Sequence, residues 1–386
     1  MQRREGPIIG VPVNMRLTID KPGLAKALAH VASVVERRNT IPILSNVLLT
    51  ASNNELKLTA TDLDIELVET VPCRAKGEGA TTVPAHMFHD IVRKLPEGSD
   101  IELLRDGEQG RLSITSGPAQ FSLQTLPADD FPALSVDDLG HNFTLSAGDL
   151  KRLIEKTRFA ISTEETRYYL NGIYLHATDS GGKAMLRAVA TDGHRLAQVE
   201  LPLPAGAKGM PGVIVPRKTV LELAKLVEDA DGEVRLELSP SKIRVSTSRV
   251  VLTSKLIDGT FPDYERVIPQ GNDKRMEVDN TAFAQAVDRV STLSSDKGRA
   301  VKLTINDGKL VLSVNNPDSG SATEELSVEY GFDPLEIGFN ARYLLDISGQ
   351  LESGTAEFQL ADAGSPTMVR DGKDASALYV LMPMRV

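Results

Sequence analysis

The sequence predicts an α+β protein built from three repeated domains, each with two helices packed on antiparallel sheets. Its 386 residues exceed what one hydrophobic core normally organises, since a domain averages about 150 residues. A short alternating strand followed by a helical apolar stripe occurs three times, starting near residues 15, 142 and 275. Repeats of this length can each hold a core of their own, so a solenoid of small repeats is disfavoured.

The first helix of each repeat carries its apolar residues at i, i+4 and i+7. This is the period of an amphipathic helix with one buried face. The predicted buried positions are Leu24, Leu28 and Val31 in the first repeat, Leu150, Ile154 and Thr157 in the second, and Phe283, Val287 and Val290 in the third.

A second, shorter helix follows a Pro or small-residue pivot in each repeat. The predicted helical runs are Met87–Leu95, Val220–Val227 and Tyr343–Leu351. Alternating apolar and polar residues between Asn, Asp and Gly turns indicate strands, for example at Glu55–Leu58, Ile101–Leu104, Val234–Leu238 and Leu310–Val314. We place the domains at residues 15–137, 138–268 and 269–386. Residues 1–14 have no clear period and are interpreted as a disordered leader, or as residues before the true start at Met15.

The composition excludes several functional classes. With 53 acids against 43 bases, the net charge of -10 argues against broad coating of nucleic acid or anionic lipid. The single cysteine, Cys73, cannot form an internal disulfide or a Cys-based metal site. No stretch approaches the ~20 apolar residues of a membrane span. We therefore expect a cytoplasmic protein with no membrane partner, no metal and no cofactor.

The first helices nevertheless carry more bases than acids. Two and six positions beyond the first stripe residue come Lys26 and His30, then Arg152 and Lys156, then Gln285 and Arg289. At 100° per residue these positions lie opposite the apolar stripe. A cationic outer face on three equivalent helices predicts contact with a phosphate backbone without reading of bases. An ordinary solvated helix face is the alternative for any one of them.

Five motifs, in this order and spacing, give the sequence a family resemblance. They are Asn39–Leu44, Arg167–Gly172, Thr191–Leu196, Phe261–Tyr264 and the ending Tyr379–Val386. From Met15 to Val386 the chain resembles the bacterial sliding clamps, the beta subunits of DNA polymerase III.

The resemblance implies a non-catalytic processivity factor. Two chains would close head to tail into a homodimeric ring of six domains, with helices lining a hole that encircles double-stranded DNA. The ring would tether the DNA polymerase III catalytic subunit. It would also bind the clamp loader, other polymerases and repair proteins through short linear motifs.

The resemblance implies DNA contacts at four residues: Arg38, Tyr168, Tyr169 and Lys218. The helix-face argument adds four more: Lys26, Arg152, Lys156 and Arg289. Alternate-face strand packing can explain one of the two tyrosines, but hardly both. Glu164 stands where the family has an amide and His86 where it has an arginine, so neither is expected to contact DNA. For the ring-closing interface the resemblance sets Phe121 and Leu123 against Thr292 and Leu293. Ordinary core packing is the alternative.

The resemblance also implies a partner-peptide cleft that includes the last residues of the sequence. Strand pairing can hold Tyr379–Leu381, while Pro383 stops the strand and leaves Met382 and Met384 at a surface. The implied members are Leu170, Thr191, Gly193, His194, Arg195, Leu196, Pro262, Arg266, Val267, Asn340, Tyr343, Val380, Met382, Pro383, Met384 and Arg385. Gly298, Gly364 and Pro366 depart from the family near the rim. A tail that only completes the last domain's core is the alternative.

Two other functions remain open at this point. Asp192 could orient His194 as the base of a hydrolase, but no nucleophile elbow, phosphate loop or metal-spaced His pair accompanies them. We instead interpret Thr191–Leu196 as a turn whose Asp and Gly set the backbone. The other alternative is a peptide-binding scaffold that never meets DNA.

Overall fold

The computed structural model describes residues 15–106, 110–135, 139–228, 230–294 and 300–386. The leader 1–14 and Gly298 lie outside these residues. Six α-helices occur in the described part of the chain: α1 Lys21–Val34, α2 Ala85–Lys94, α3 Ala147–Glu155, α4 Arg217–Glu228, α5 Asn280–Ser291 and α6 Ala341–Ser348.

Twenty-five strands accompany the helices in the described residues. The first repeat contains β1 Arg16–Asp20, β2 Asn46–Ser52, β3 Glu55–Thr61, β4 Ile65–Pro72, β5 Arg74–Gly77, β6 Gly79–Pro84, β7 Asp100–Asp106, β8 Arg111–Ser116 and β9 Ala119–Gln124. The second contains β10 His141–Ser146, β11 Gly172–Ser180, β12 Lys183–Thr191, β13 Arg195–Pro202, β14 Val213–Pro216, β15 Glu233–Leu238, β16 Lys242–Ser246 and β17 Val250–Lys255. The third contains β18 Lys274–Asp279, β19 Ala300–Asn306, β20 Lys309–Asn316, β21 Gly320–Ser327, β22 Leu335–Asn340, β23 Thr355–Leu360, β24 Thr367–Asp371 and β25 Ala377–Leu381.

The chain divides into two compact units. One takes in the described residues up to Asn142 together with Lys225–Lys255, and the other takes in Phe143–Ala224 with Leu256–Val386. In the first unit, β5-β1-β7-β8-β9 form one antiparallel sheet, and β15-β16-β17-β4-β3-β2-β6 run side by side in another. Strand β9 lies at an edge of its sheet.

The second unit is organised by a sheet with the order β14-β11-β12-β13-β25-β24-β23-β18. Strand β25 pairs antiparallel with β13, setting Arg195 opposite Leu381 and Leu196 opposite Val380. The last strand of the chain therefore lies beside the turn that the sequence singled out. A separate sheet, β21-β20-β19-β22, has β21 at its edge.

The repeat pattern is confirmed. Leu24, Leu28 and Val31 are fully buried, and the corresponding positions of the other two repeats are buried too, although Thr157 lies just after the end of α3. Each first helix begins at a capping side chain, Asp20, Ser146 or Asp279, which accepts a backbone N–H of the first turn and so fixes where the helix starts. The three short second helices are also present. No helix in the described residues is long and apolar enough to cross a membrane.

The expected cationic face is wrong for two of its members. Lys156, at the end of α3, is only 5% exposed, and its ammonium group donates to the Gln350 carbonyl and pairs with Glu352. The Arg152 guanidinium pairs with Asp374 and donates to Ser376 Oγ at 2.7 Å. Residues of the last third of the sequence pack over this side of α3, which a helical wheel cannot reveal.

The remaining members of that face differ from one another. Lys26 is exposed on α1, whereas the Nδ1 atom of His30 lies 2.8 Å from Glu69 Oε2. Gln285 and Arg289 are exposed on α5, but Arg289 Nη2 pairs with Glu324 Oε1 at 2.5 Å. A continuous row of uncompensated cations on three equivalent helices is therefore absent from the described residues.

Candidate functional site

The turn between β12 and β13 is built by its own side chains. Asp192 Oδ1 accepts the backbone N–H groups of His194 and Arg195 at 3.0 and 3.1 Å, and Thr191 Oγ1 donates to the Arg195 carbonyl at 2.7 Å. Gly193 has φ +87°, a left-handed conformation that glycine adopts without steric cost. The turn predicted from the sequence is confirmed.

Arg195 is the centre of a polar network and is 8% exposed. Its Nε donates to Asp192 Oδ2 at 3.1 Å, and its Nη2 donates to the Phe159 carbonyl at 2.6 Å. The guanidinium also pairs with Asp346 and lies 4.3 Å above the Tyr343 ring. Because its guanidinium is bound to three different partners, the Arg195 side chain is held in one orientation.

The end of the chain is fastened to this turn. Met382 donates its backbone N–H to the His194 carbonyl at 3.0 Å, and Met384 donates to the Gly338 carbonyl at 2.8 Å. A Cβ at position 338 would lie 2.7 Å from the Met384 carbonyl oxygen, so this close approach needs glycine. Pro383 ends the strand as predicted, and the Met382 side chain remains 42% exposed.

These elements enclose an apolar cavity of about 290 Å³. Its lining residues are Arg167, Tyr169, Leu170, Thr191, Gly193, Arg195, Leu196, Pro262, Asp263, Tyr264, Val267, Val380 and Met382. Leu170, Leu196 and Val380 belong to one buried hydrophobic cluster. An apolar floor with a rim of a few polar groups is typical of a site for apolar side chains.

Tyr264 forms a wall of the cavity and is held from behind. Its hydroxyl lies 3.0 Å from His176 Nε2 and accepts from Arg187 Nη1 at 2.9 Å. Burial raises the pKa of the Tyr264 hydroxyl and lowers the pKa of His176. At neutral pH both groups are therefore uncharged, and the ring is fixed by hydrogen bonds rather than by an ion pair.

The structure brings together only part of the expected cleft. Nine predicted members line the apolar cavity: Leu170, Thr191, Gly193, Arg195, Leu196, Pro262, Val267, Val380 and Met382. His194 and Tyr343 line a neighbouring depression that shares Arg195, while Pro383, Met384 and Arg385 line another one with Gly364. Arg266 pairs with Asp263 at 2.6 Å, and Asn340 caps α6; neither lines these three cavities.

Four lining residues were absent from the predicted cleft, although motifs contained them. Asp263 and Tyr264 belong to the Phe261–Tyr264 motif, whose Pro262 alone was assigned to the cleft. Arg167 and Tyr169 belong to the Arg167–Gly172 motif, and Tyr169 was assigned to DNA instead. These four residues could have been predicted to line the cleft, because each belongs to a motif that contains a residue already assigned to it.

The geometry does not support the hydrolase hypothesis. Both oxygens of Asp192 serve the backbone of the turn and Arg195, so this carboxylate does not orient His194. The His194 imidazole stacks against Tyr343, with ring centroids 6.5 Å apart.

The expected DNA contacts are accessible to different degrees. Arg38 is exposed after α1, Tyr168 is 53% exposed and Lys218 lies on α4. Tyr168 and Tyr169 belong to a 3-10 helix, Glu165–Leu170, and not to a strand, so the strand-packing alternative is wrong. Their rings meet edge to face at 5.7 Å.

The two departures from the family pattern have local partners. Glu164 pairs with Arg167 at 2.6 Å, and the hydrogen bond from Arg167 lowers the pKa of the Glu164 carboxyl. A ring nitrogen of His86 lies 2.9 Å from the Val35 carbonyl oxygen.

The four expected interface residues also differ in exposure. Phe121 is 38% exposed on the edge strand β9, whereas Leu123 is 6% exposed and packs into its own core. Thr292 is exposed and Leu293 half-buried after α5.

Comparison with known proteins identifies the family. Three models of the DNA polymerase III beta subunit match in order: the N-terminal domain at residues 15–135, the central domain at 144–263 and the C-terminal domain at 265–385. The beta sliding clamp of Caulobacter vibrioides is 54% identical over 372 residues, which cover 96% of this chain and all of that protein.

Solved structures agree with the sequence comparison. A sliding clamp from Bartonella birtlesii bound to griselimycin is 57% identical with a TM-score of 0.94, covering 97% of this chain and all of that one. A griselimycin-bound clamp from Pseudomonas aeruginosa is 42% identical with a TM-score of 0.92 over the same shares. The chain therefore belongs to the DNA polymerase III beta subunits, the beta sliding clamps, which are processivity factors and not catalytic subunits.

Proposed function

We propose that the apolar cavity beside Arg195 holds short segments of partner proteins and so tethers the replicative polymerase to this clamp. The observation that carries the proposal is an apolar cavity lined by the buried Leu170, Leu196 and Val380 and by the partly exposed Met382. Methionine adapts to differently shaped ligands, which suits a site that serves several partners. The clamp loader, other polymerases and repair proteins would use the same site.

Griselimycin, bound in the two similar structures, gives a small-molecule probe. We propose that it enters the same cavity in this chain, because a concave, mostly apolar cavity of about 290 Å³ is the usual kind of site for a small-molecule ligand. Competition between griselimycin and a partner segment would support a shared site.

The cavity is tested with peptides and a matched pair of variants. Overlapping 15-residue segments of the polymerase III catalytic subunit from the same organism are screened for binding. Met382→Asp should weaken the best segment at least tenfold, since a charge would enter the apolar rim. Met87→Asp is the control, because Met87 is 56% exposed on α2 and does not line the cavity. Equal binding by both variants would reject the site.

We further propose that duplex DNA passes through a ring of two chains and contacts Arg38, Lys26, Lys218, Tyr168 and Tyr169. The exposure of Arg38 and Tyr168 supports direct contact with the DNA backbone. Arg38→Glu should weaken DNA association and reduce its salt dependence, because fewer counterions are released. Arg235→Glu, a similar change on β15, should have neither effect. If Arg38→Glu leaves the salt dependence of DNA association unchanged, Arg38 does not contact DNA.

For ring closure we propose a head-to-tail contact of Phe121 with Thr292 and Leu293 of a second copy. The support is an exposed aromatic ring on an edge strand and a half-buried leucine on the other unit; a chain with different ends closes through such heterologous contacts. We leave out Leu123, because it is committed to its own core. Leu293→Asp should give a folded monomer in sedimentation. A dimer that persists would rule the contact out.

A further inference from the structure

The neighbouring depression is lined by four arginines. Its volume is about 460 Å³, and Arg195 forms part of its wall as well as part of the apolar cavity's wall. Arg158, Arg217 and Arg342 supply the other guanidinium groups, and three carboxylates, those of Glu164, Asp192 and Asp346, line it too. All of these residues belong to the second compact unit.

The carboxylates are already compensated by other groups. Asp192 is held by Arg195 and by two backbone N–H groups. Asp346 pairs with Arg195 and lies 4.0 Å from Arg342 Nε, and Glu164 pairs with Arg167 outside the depression. None of the three therefore neutralises Arg158 or Arg217.

Arg158 and Arg217 are the uncompensated charges. Arg158 lies in the 3-10 turn that follows α3, and Arg217 is the first residue of α4; both are exposed. Within the described part of the chain, neither guanidinium makes a hydrogen bond or an ion pair. A planar guanidinium with all its donors available is well suited to bind a carboxylate.

We propose that this arginine pocket, defined by Arg158, Arg217 and Arg342, binds acidic side chains that flank the apolar segment of a partner protein. The inference rests on the proposed function of the apolar cavity. A segment seated there needs only to pass Arg195 to reach the pocket, because both share that wall. The wall shared with the apolar cavity favours a peptide over duplex DNA as the occupant, and two exposed guanidinium groups are enough for one or two carboxylates.

The test uses the best-binding polymerase segment in two forms. One carries three Asp residues and the other three Asn residues, added at the N-terminal end in one pair and at the C-terminal end in a second pair. The Asp form should bind the parent clamp about fivefold more tightly at one of the two ends, as expected for exposed ion pairs. High salt should remove this preference.

Variants assign the preference to the pocket. The double variant Arg158→Gln with Arg217→Gln should bind both forms alike and should match the parent's affinity for the Asn form. The control double variant, Arg74→Gln with Arg93→Gln, changes the net charge equally at exposed sites of the first unit and should keep the preference. No preference in the parent at either end, or a preference that survives the Arg158 and Arg217 changes, would overturn the proposal.

Duplex binding and binding of the Asn form distinguish the proposal from a phosphate site and from failure of the apolar cavity. If the Arg158 and Arg217 changes weaken duplex binding but leave the Asp preference intact, the pocket is a phosphate site and the proposal is wrong. Binding of the Asn form tests the apolar cavity separately: if Met382→Asp leaves it unchanged, the proposed function fails, whatever the Asp preference shows.

Discussion

Replacing Lys156 separates a buried structural charge from a DNA-contacting one. Lys156→Met keeps the aliphatic stem but leaves the Gln350 carbonyl without its donor, which costs about 1–2 kcal/mol. Glu352 is 74% exposed and returns to water at little cost. Lys156→Glu instead buries an unpaired carboxylate beside that carbonyl and Glu352, which costs about 3–5 kcal/mol.

The assay is thermal and urea unfolding followed by circular dichroism, with duplex binding measured in parallel. Lys156→Glu should lower the melting temperature on the order of 10 °C, given about 2–4 °C per kcal/mol in a unit of this size. Lys183→Glu, at an exposed end of β12, makes the same change in charge and should stay within about 0.5 kcal/mol of the parent. If Lys156→Glu has the same melting temperature as Lys183→Glu and loses only DNA affinity, Lys156 lies on an exposed face of α3 and our interpretation of its burial is wrong.

Two further changes test the cleft turn and a buried carboxylate. Gly193→Ala forces a residue with φ +87° to carry a Cβ 2.5 Å from the Arg167 guanidinium; it should cost about 1 kcal/mol in unfolding and weaken binding of the polymerase segment. Gly209 has φ +75° and open space around it, so Gly209→Ala should lower the free energy of unfolding by the same amount and leave peptide binding unchanged. Equal binding by both variants would contradict the assigned role of Gly193. Burial alone would raise the pKa of Asp371, but hydrogen bonds from Ser353, Lys373 and Glu352 lower it to about 2. The stabilisation from this group is therefore complete above about pH 4 and lost as the pH falls toward 2, so Asp371→Asn should flatten the dependence of the unfolding free energy on pH between 2 and 4. The exposed Asp318→Asn should not, and an unchanged slope in Asp371→Asn would show that another group causes it.

Local periodicity predicted the elements of the fold but not what packs against them. The stripe of α3 was correct at Leu150 and Ile154 because their burial follows from helical spacing alone. The opposite face was misassigned at Arg152 and Lys156 because their partners, Asp374 and Glu352, lie about two hundred residues further along the chain. The pairing of β13 with β25 joins the second repeat to the third in one sheet, and no local pattern encodes that pairing.

The sequence predicted most residues of the candidate site but not how their side chains are arranged. Motif resemblance located Thr191, Leu196 and Val380, which meet in one cavity. It could not show that the Arg195 side chain stands between that cavity and His194, because this depends on the hydrogen bonds of one guanidinium to Asp192 and Phe159. The arginine pocket was missed because Arg158, Arg217 and Arg342 are far apart in sequence and belong to no common motif.

The most direct test of a sliding clamp is its retention on DNA of different topology. The chain is loaded by the clamp loader and ATP onto a nicked circular plasmid, which is then isolated at high salt by gel filtration. We predict that the protein stays with the circle, leaves within minutes when a restriction enzyme linearises it, and fails to stay at all as Leu293→Asp. Equal dissociation from circular and linear DNA would contradict the account, because binding would then depend on contacts and not on encirclement.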